Sequence, residues 1–456
     1  MLENLTTTAL FLISALFLIG FSAFGFISIK EKEKRAARIS FIIAMPGAAL
    51  FFFFALLPLT FKIALLMLIA FAALAFIVMF FIPIGKIVRG QDTPVERIDE
   101  RDIMFARSML VPGSAEYEAY YQMRPENLEK DNQFREKPGL LGKGSLFHDP
   151  ILGSSVDASF YLTEAMNKAV DGPIYPEKQD LSPEEATLYI KNLAKYYGAL
   201  HVGITELKPY HVYSHIGRGD GTYGAELPVD HRYAIAFSVE MNHDMIGPNP
   251  LMMGSMESAK EYVDVGRVAI QLAAAIRFMG FPARGHMDGN YRVVCPLVAR
   301  DAGLGEIGRM GLLMTKSHGP RVRLAVVTTD LDLIPDPYIQ DDSILDFCTI
   351  CKKCSTNCPS QSISFEDREI ISGTLRWQIN SDTCYKYWCT AGTDCGRCMT
   401  VCPYAHPSNI MHDMIRLGIQ YSGFFRRLVN WADDFFYGKK PRPRDPLLWI
   451  KSLKSH

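Results

Sequence analysis

The stretch CTICKKCSTNCP, residues 348–359, decides the C-terminal half of the fold, and a related stretch, CYKYWCTAGTDCGRCMTVCP, follows at residues 384–403. Nine of the chain's ten cysteines lie in these two stretches. The first has the spacing CxxCxxCxxxCP, which wraps a [4Fe-4S] cluster in ferredoxin-type proteins. In the second, one cysteine is followed after ten residues by CxxCxxxCP. The two runs therefore predict two [4Fe-4S] clusters.

The cysteines of the two runs are expected to interleave, because the fourth cysteine of each ferredoxin-type run ligates the other cluster. One predicted ligand set is Cys348, Cys351, Cys354 and Cys402. The other is Cys384, Cys395, Cys398 and Cys358. Cys389 is left over, and we interpret it as a structural or spectator thiol. Zinc would favour two separated CxxC or CxxH pairs, and disulfides would need an oxidising compartment, so both fit this pattern less well.

The length and charge of the chain limit the classes of protein to which it can belong. At 456 residues it is long enough for two or three domains and a large core. Its formal net charge of -1 gives no sign of a broad surface for binding polyanions. Nucleic acid is therefore not expected as a partner.

Three N-terminal runs carry no charged side chain: residues 4–29, 39–61 and 63–85. Each is as long as the roughly 20 residues that cross the hydrocarbon core of a bilayer. Pro46 and Pro58 lie inside the second run, and membrane helices tolerate proline when neighbours satisfy the freed carbonyl groups. The pattern predicts three transmembrane helices.

The orientation of these helices follows from lysine and arginine. The loop Lys30–Arg38 reads KEKEKRAAR, and Lys86 and Arg89 follow the third run. Basic loops stay in the cytoplasm, so we expect an external N-terminus and a cytoplasmic soluble part, in a multi-pass protein of the cell (inner) membrane. A cleaved signal peptide fits less well because further spans follow the first run. No twin-arginine pair lies near the start.

The soluble part predicts alternating helices and strands. A helix is expected to begin at the capping box Ser182–Glu185 and to end near Tyr197. A longer helix is expected over about 256–279. Strands are expected over 199–205, 232–240 and 321–329, with a further strand-like piece at Val293. This alternation predicts an α/β core. The aromatic-rich tail from Met411 onward is expected to pack against that core, with the membrane surface as the alternative.

The stretch DAGLGEIGRMGLLMTKSHGPRVRL, residues 301–324, followed by the two cysteine runs, resembles the cobalamin-dependent reductive dehalogenases. The resemblance covers roughly residues 95–440. It implies a nitroreductase-like α/β core that buries a base-off cobalamin, followed by a ferredoxin-like module with two [4Fe-4S] clusters. No DxHxxG motif, the usual source of a lower histidine ligand to cobalt, occurs in the chain.

The resemblance and the sequence patterns together give a predicted domain organisation. The predicted parts are a membrane anchor of three helices (1–89), an irregular lead-in (90–180), a nitroreductase-like cobalamin-binding catalytic domain (181–344), a ferredoxin-like two-cluster domain (345–412) and a C-terminal tail (413–456). The anchor of related systems is a separate small membrane protein, so we interpret residues 1–89 as an anchor fused to the enzyme.

The resemblance also implies catalytic residues. The proton-donating tyrosine falls at Tyr262, and its basic partner falls at Arg321 in GPRVRL. A third polar position falls in GHMDGN, at Asp288 or Asn290. The glycines of GLGEIG are expected either to let the backbone approach the corrin or to form an ordinary turn before a helix; they are Gly303, Gly305 and Gly308.

The implied function is reductive dehalogenation, in which two electrons and one proton replace halide on an organohalide substrate. The expected electron donor is a quinol, ferredoxin or flavodoxin. One alternative is an epoxyqueuosine reductase-like enzyme that acts on tRNA, for which Glu261 or Asp264 would supply the carboxylate expected near Tyr262. The other alternative is a non-catalytic, membrane-tethered electron carrier of the ferredoxin type.

Overall fold

The computed structural model of the protein describes residues 1–85 and 87–454, so Lys86 of the predicted basic flank lies outside the described residues. The chain divides into two compact units. The helical unit comprises Met1–Lys86 and Asn409–Arg444. The main unit comprises Ile87–Ser408 and Asp445–His456.

The three apolar runs form three long helices, as predicted. They are α1 (Leu2–Lys30), α2 (Lys34–Leu56) and α3 (Leu59–Phe81). Each is long and apolar enough to cross a membrane. Pro46 lies inside α2 as predicted, whereas Pro58 lies between α2 and α3, so the second helix ends before this proline instead of continuing through it. A proline there removes no hydrogen bond from the first turn of α3.

The polar lead-in is mostly helical. Its helices are α4 (Met104–Ser108), α5 (Ala115–Met123), α6 (Leu128–Arg135) and α7 (Pro150–Met166). Asp149 caps α7, because its carboxylate accepts a hydrogen bond from the backbone N–H of Leu152 at 3.1 Å and Pro150 occupies the first turn. The helix packs against the long helix of the core.

The core alternates helices and strands, as predicted. Its helices are α8 (Pro183–Tyr196), α9 (His243–Ile246), α10 (Met252–Phe278) and α11 (Cys295–Asp301). Its strands are β1 (His201–Glu206), β2 (Tyr233–Glu240), β3 (Ala283–His286), β4 (Gly305–Ile307), β5 (Leu313–Thr315) and β6 (Val322–Thr329). The predicted capping box at Ser182 and Glu185 is present. The strand-like piece at Val293 instead leads into α11, where Pro296 lies in the first turn.

Four of these strands form one sheet in the order β1-β2-β6-β3, and every neighbouring pair is antiparallel. Alternate residues of the central strands face opposite layers. Phe237 of β2 and Val327 of β6 pack into a core with α8 and α10. Ala236 and Val326, one residue away, pack into a second core with α11. The sheet is therefore a middle layer between two helical layers.

The cysteine region folds around four short helices and a hairpin. They are α12 (Asp342–Cys351), α13 (Lys353–Asn357), β7 (Glu369–Ile371), β8 (Thr374–Arg376), α14 (Ser381–Ala391) and α15 (Arg397–Thr400). The last helices are α16 (Ile410–Tyr421), α17 (Gly423–Phe436) and α18 (Leu448–Lys451).

The tail does not pack against the core as expected over most of its length. Residues Asn409–Arg444 belong to the helical unit, and only the final segment belongs to the main unit. In the helical unit, Phe424 and Phe425 of α17 contact Phe76 of α3, with ring centroids 5.8 and 6.5 Å apart. The apolar side chains of α17 thus find their partners on an apolar helix rather than on the sheet. The predicted boundaries of the five domains remain predictions.

Candidate active site and metal centres

A large cavity lies inside the main unit, between the sheet and the cysteine region. The space within it that no protein atom fills is about 1620 Å³, its open mouth included. Most of its wall is apolar, and the polar groups on the wall include Tyr262, Arg323 and Arg218. Four predicted cluster ligands also line it: Cys358, Cys384, Cys395 and Cys398. A molecule in this cavity would therefore lie between a phenol and one set of sulfur ligands.

Tyr262 lies on α10 and contacts an arginine on β6. The guanidinium carbon of Arg323 lies 4.2 Å from the centroid of the tyrosine ring, and its Nη1 donates a hydrogen bond to the phenol oxygen at 3.2 Å. Its Nη2 also donates to the hydroxyl of Ser258, one helical turn before Tyr262. The two contacts on one helix fix the arginine over the phenol.

The environment of Tyr262 keeps its phenol protonated. Burial raises the pKa of Tyr262 above its ordinary value, while the guanidinium of Arg323 acts in the opposite direction. Burial outweighs the arginine, so the residue is a neutral phenol at neutral pH. A neutral phenol beside a cation has a proton to give, and the cation would stabilise the phenolate that remains.

The predicted partner, Arg321, does not contact Tyr262. Its side chain is fully buried, donating hydrogen bonds to the carbonyl oxygen of Ala405 at 2.9 Å and to the carboxylate of Glu240 at 2.5 Å. It precedes β6 in a turn, where its N–H bonds the carbonyl of His318. Arg323 lies within the strand, on the face that α10 covers, and therefore reaches the tyrosine. The contact with the phenol is thus made by the arginine two residues after the predicted one.

The two candidates for the third polar position have different surroundings. Asn290 is fully buried and its amide accepts from Arg284 at 2.7 Å and donates to Asp220 at 2.9 Å. Asp288 instead interacts with Tyr262. Burial raises the pKa of Asp288, while Arg218 and Arg323 oppose that shift. The charge of Asp288 thus acts on the phenol, and the choice between Asp288 and Asn290 for the third polar position stays a prediction.

Arg218 was not foreseen from the sequence. It lines the cavity and its Nε lies 3.3 Å from the carboxylate of Glu100, a fully buried residue of the lead-in. The other oxygen of Glu100 accepts from the backbone N–H groups of Gly217 at 2.9 Å and Arg218 at 3.2 Å. The signal in the sequence is weak, since it consists of an arginine in the glycine-rich loop GRGDG, residues 217–221.

The glycines predicted to approach the corrin do not line the cavity. Gly303 ends α11 with a φ of +78°, a conformation that favours glycine. A Cβ on Gly305 would lie 2.1 Å from the carbonyl oxygen of Met314, on the paired strand β5. A Cβ on Gly308 would lie 2.6 Å from the side chain of Met314 and 3.4 Å from the sulfur of Cys348. The left-handed backbone conformation explains Gly303, and close packing explains Gly305 and Gly308; a strand, β4, follows Gly303, so the expected turn before a helix is not present there.

The eight predicted cluster cysteines fall into two groups. Burial, and after it the charges of Cys348, Cys351 and Cys354, raise the pKa of Cys402, so these four thiols lie near one another. Burial and the charges of Cys395, Cys384 and Cys358 likewise raise the pKa of Cys398. The charge of Cys354, from the first group, also raises the pKa of Cys398, so the two groups are neighbours. The grouping supports the interleaved ligand sets, with the fourth cysteine of each run placed among the cysteines of the other.

The chemistry of these thiols fits iron–sulfur clusters. Burial raises the pKa of Cys354 and of Cys395 to about 12 and that of Cys384 to about 11. Buried thiolates without counterions are costly, whereas iron would neutralise their charge and deprotonate them. Cys389, the predicted spectator, is buried in a separate apolar cluster with Met104 and Phe134.

Comparison with known proteins identifies the cysteine region and the fold. The family described as 4Fe-4S dicluster domain matches residues 347–406. The tetrachloroethene reductive dehalogenase of Sulfurospirillum multivorans is 32% identical over 293 residues, which cover 57% of this chain and 58% of that protein. The epoxyqueuosine reductase of Lactococcus garvieae is 30% identical over 113 residues, which cover 24% of this chain.

The fold also matches a solved structure. The catabolic reductive dehalogenase NpRdhA superposes with a TM-score of 0.63 at 24% identity, over 77% of this chain and 49% of that one. NpRdhA has also been solved in complex with 3-bromo-4-hydroxybenzoic acid. The protein therefore has the reductive dehalogenase fold with a 4Fe-4S dicluster domain, and its sequence is similar to the reductive dehalogenases. The chain spans about half the length of the relatives it matches.

The grouping of the cysteines predicts the effect of removing one. Replacing Cys402 with alanine takes a ligand from the set of Cys348, and we expect iron to fall from ~8 to ~4 atoms per chain, with one cluster signal retained. Iron analysis and paramagnetic resonance of the reduced protein measure this. Cys389→Ala is the matched control and should keep all of its iron. Equal iron content in the two variants would contradict the assignment.

Proposed function

We propose that the protein is a cobalamin-dependent reductive dehalogenase. The observation that carries the proposal is the cavity, whose wall holds a protonated phenol under an arginine and also four cysteines of one ligand set. Such a cavity brings a source of protons and a source of electrons to the same small molecule. The similarity to reductive dehalogenases supports the same reaction.

The residues of the cavity fit a base-off cobalamin. Its wall is mostly apolar with a few polar groups, the lining expected of a buried cofactor site. Asn249 lines the cavity and is almost fully buried, and its side-chain oxygen has no hydrogen-bond partner among the described residues. The amides at the rim of a corrin would supply one. Gly254 and Gly396, also on the wall, lie so close to Asn249 that a Cβ on either would clash. When bound, the cobalamin supplies the strong reductant that attacks carbon–halogen bonds.

The protein's own part in the reaction is to supply the proton. In the overall change, R–X takes two electrons and one proton and yields R–H and X⁻. Tyr262 donates the proton to the carbon that loses halide, and Arg323 stabilises the phenolate. Arg218 adds a second positive charge on the cavity wall. The negative charge of Asp288 acts on both arginines and offsets part of that charge.

Electrons reach the cavity from outside the chain. Two [4Fe-4S] clusters supply one-electron transfer, one held by Cys348, Cys351, Cys354 and Cys402 and the other by Cys358, Cys384, Cys395 and Cys398. The second set lines the cavity and is therefore the last donor. We propose a quinol, ferredoxin or flavodoxin as the external donor and an organohalide as the substrate.

We also propose that α1, α2 and α3 all cross the cell membrane and that the main unit is cytoplasmic. The three helices are long and apolar enough for this. The stretch 30–38, where α1 ends and α2 begins, carries five basic and two acidic residues and would stay in the cytoplasm.

Neither alternative function has a specific observation in its favour. For a tRNA-modifying epoxyqueuosine reductase, Glu261 or Asp264 would supply the carboxylate beside Tyr262. Glu261 and Asp264 both bond Lys260, at 2.5 and 2.8 Å, and neither lines the cavity. For a simple electron carrier, the cavity and its buried phenol would have no purpose.

Anaerobic reconstitution tests the proposed function. The full-length protein is loaded with iron, sulfide and hydroxocobalamin, and halide release is measured with reduced methyl viologen from chlorinated ethenes and brominated phenols. We expect about one corrinoid per chain and halide release that depends on it. Failure to bind corrinoid would favour the electron carrier. Corrinoid binding with reduction of an epoxyqueuosine-bearing tRNA stem-loop, and no halide release, would favour the tRNA enzyme.

Replacing Tyr262 with phenylalanine removes the proposed proton donor alone. We expect halide release to fall by roughly 10²–10⁴-fold, while corrinoid and iron content stay unchanged. Tyr189→Phe, on the exposed face of α8, is the matched control and should be fully active. A Tyr262→Phe enzyme with more than a tenth of the wild-type rate would rule out this donor.

Replacing Arg323 with glutamine should change the pH profile. Because Arg323 lowers the pKa of Tyr262, its loss raises that pKa further. The fall in rate on the alkaline side, where the phenol ionises, should therefore move to higher pH, and the rate at neutral pH should fall because the phenolate is less stable. Arg321→Gln should instead lower thermal stability without moving the alkaline limb. An unchanged alkaline limb in Arg323→Gln would contradict the pairing.

A further inference from the structure

The helices α16 and α17 have an inverted distribution of polar and apolar side chains. On α16, His412, Arg416 and Ile419 are buried, so two of the three buried positions are polar. The opposite face exposes apolar side chains at helical spacing: Ile410, Met414, Leu417 and Tyr421. Ile410 and Tyr421 are 82% and 74% exposed. A helix that faces water shows the reverse arrangement.

The exposed side of α17 is also apolar. Trp431 and Phe435, one turn apart, stack with ring centroids 5.5 Å apart, and Trp431 is 61% exposed. Tryptophan and tyrosine concentrate where a membrane meets water. The segment that follows, KKPRPR at residues 439–444, is strongly basic.

The helix α17 contacts one end of the three long helices. Phe425 meets Phe80, in the last turn of α3, with centroids 5.9 Å apart. Phe436 meets Phe24, in the second half of α1, at 4.9 Å. Arg35, in the first turn of α2, donates a hydrogen bond to the carbonyl of Phe435 at 3.2 Å. All of these contacts lie at the end that carries the basic loop.

Polar contacts fasten the segment at the same end. Glu31 lies in the loop between α1 and α2 and is 6% exposed. Its carboxylate accepts from Asn409 at 2.9 Å and lies 3.1 Å from the ring nitrogen of His412. Its carbonyl accepts from Arg444 at 3.1 Å. The first and last residues of the segment are therefore held at one loop, and the helices between them cannot extend away from it.

We propose that α16 and α17 lie in the plane of the membrane, in the headgroup region at the end of α1–α3 that bears the basic loop. The apolar stripe of α16 and Trp431 face the acyl chains, and the basic run at 439–444 faces lipid phosphates. A phospholipid bilayer is the partner because the segment joins helices that are themselves apolar enough to span it. The proposal is independent of the proposed activity.

Fluorescence quenching by brominated phospholipids tests the placement in the full-length protein. The emission of Trp431 is obtained as the difference between the wild type and Trp431→Phe in vesicles. We expect at least about twofold quenching of this difference by lipids brominated near the glycerol backbone, and less by lipids brominated near the chain ends. A Leu417→Trp variant should gain a component quenched in the same way.

Leu188→Trp, on the exposed face of α8 in the main unit, is the matched control and should not be quenched. Quenching only by the lipids brominated near the chain ends would overturn the placement in the headgroup region. Absence of quenching at both Trp431 and Leu417→Trp would overturn the membrane contact. If the emission of Trp431 and of the Leu417→Trp variant then changed when the protein was diluted, the apolar face would instead bind a second copy of the chain.

Discussion

Each of the two predicted cluster ligand sets takes its fourth cysteine from the other cysteine run, and this exchange constrains the rest of the main unit. Cys402 lies among the cysteines of the first run, and Cys358 lies among those of the second. Neither set is complete until residues 40 or more positions apart have folded together. The cavity depends on this step, because Cys358, Cys384 and their neighbours form one of its walls. Metal binding and formation of the cavity are therefore coupled events.

The opposite wall depends on the alternation of side chains along β6. Arg323 faces α10 because it lies inside the strand, and there it meets Tyr262. Arg321 lies in the turn before the strand, and instead ties the sheet to Ala405 beyond the second cysteine run. Two arginines two residues apart thus have different roles: Arg323 contacts the phenol, and Arg321 joins the sheet to the segment after the second cysteine run. Arg321 is fully buried and Arg323 is half-buried on the cavity wall.

Features that depend on residues close together in the sequence were predicted correctly, whereas contacts between residues far apart in the sequence were not. The cysteine spacing, the apolar runs and the capping box at Ser182 depend only on near neighbours, and the fold agrees with them. The site was predicted in part, since Tyr262 and Asp288 share one environment. Arg218 escaped notice because its partner, Glu100, is 118 residues away. The tail was misplaced because its aromatic residues suit any apolar surface, and the sequence does not say which one is near.

The helical unit draws on both ends of the chain, and this affects how the main unit could be studied alone. Gly423 lies so close to the carbonyl of Ile84 that a Cβ there would approach it to 1.8 Å. Deleting the N-terminal helices would remove that partner and leave α16 and α17 with bare aromatic faces, which would promote aggregation. A soluble enzyme would require excision of residues 409–444 as well, with a short linker to the final segment that packs beside Leu152 and Met252.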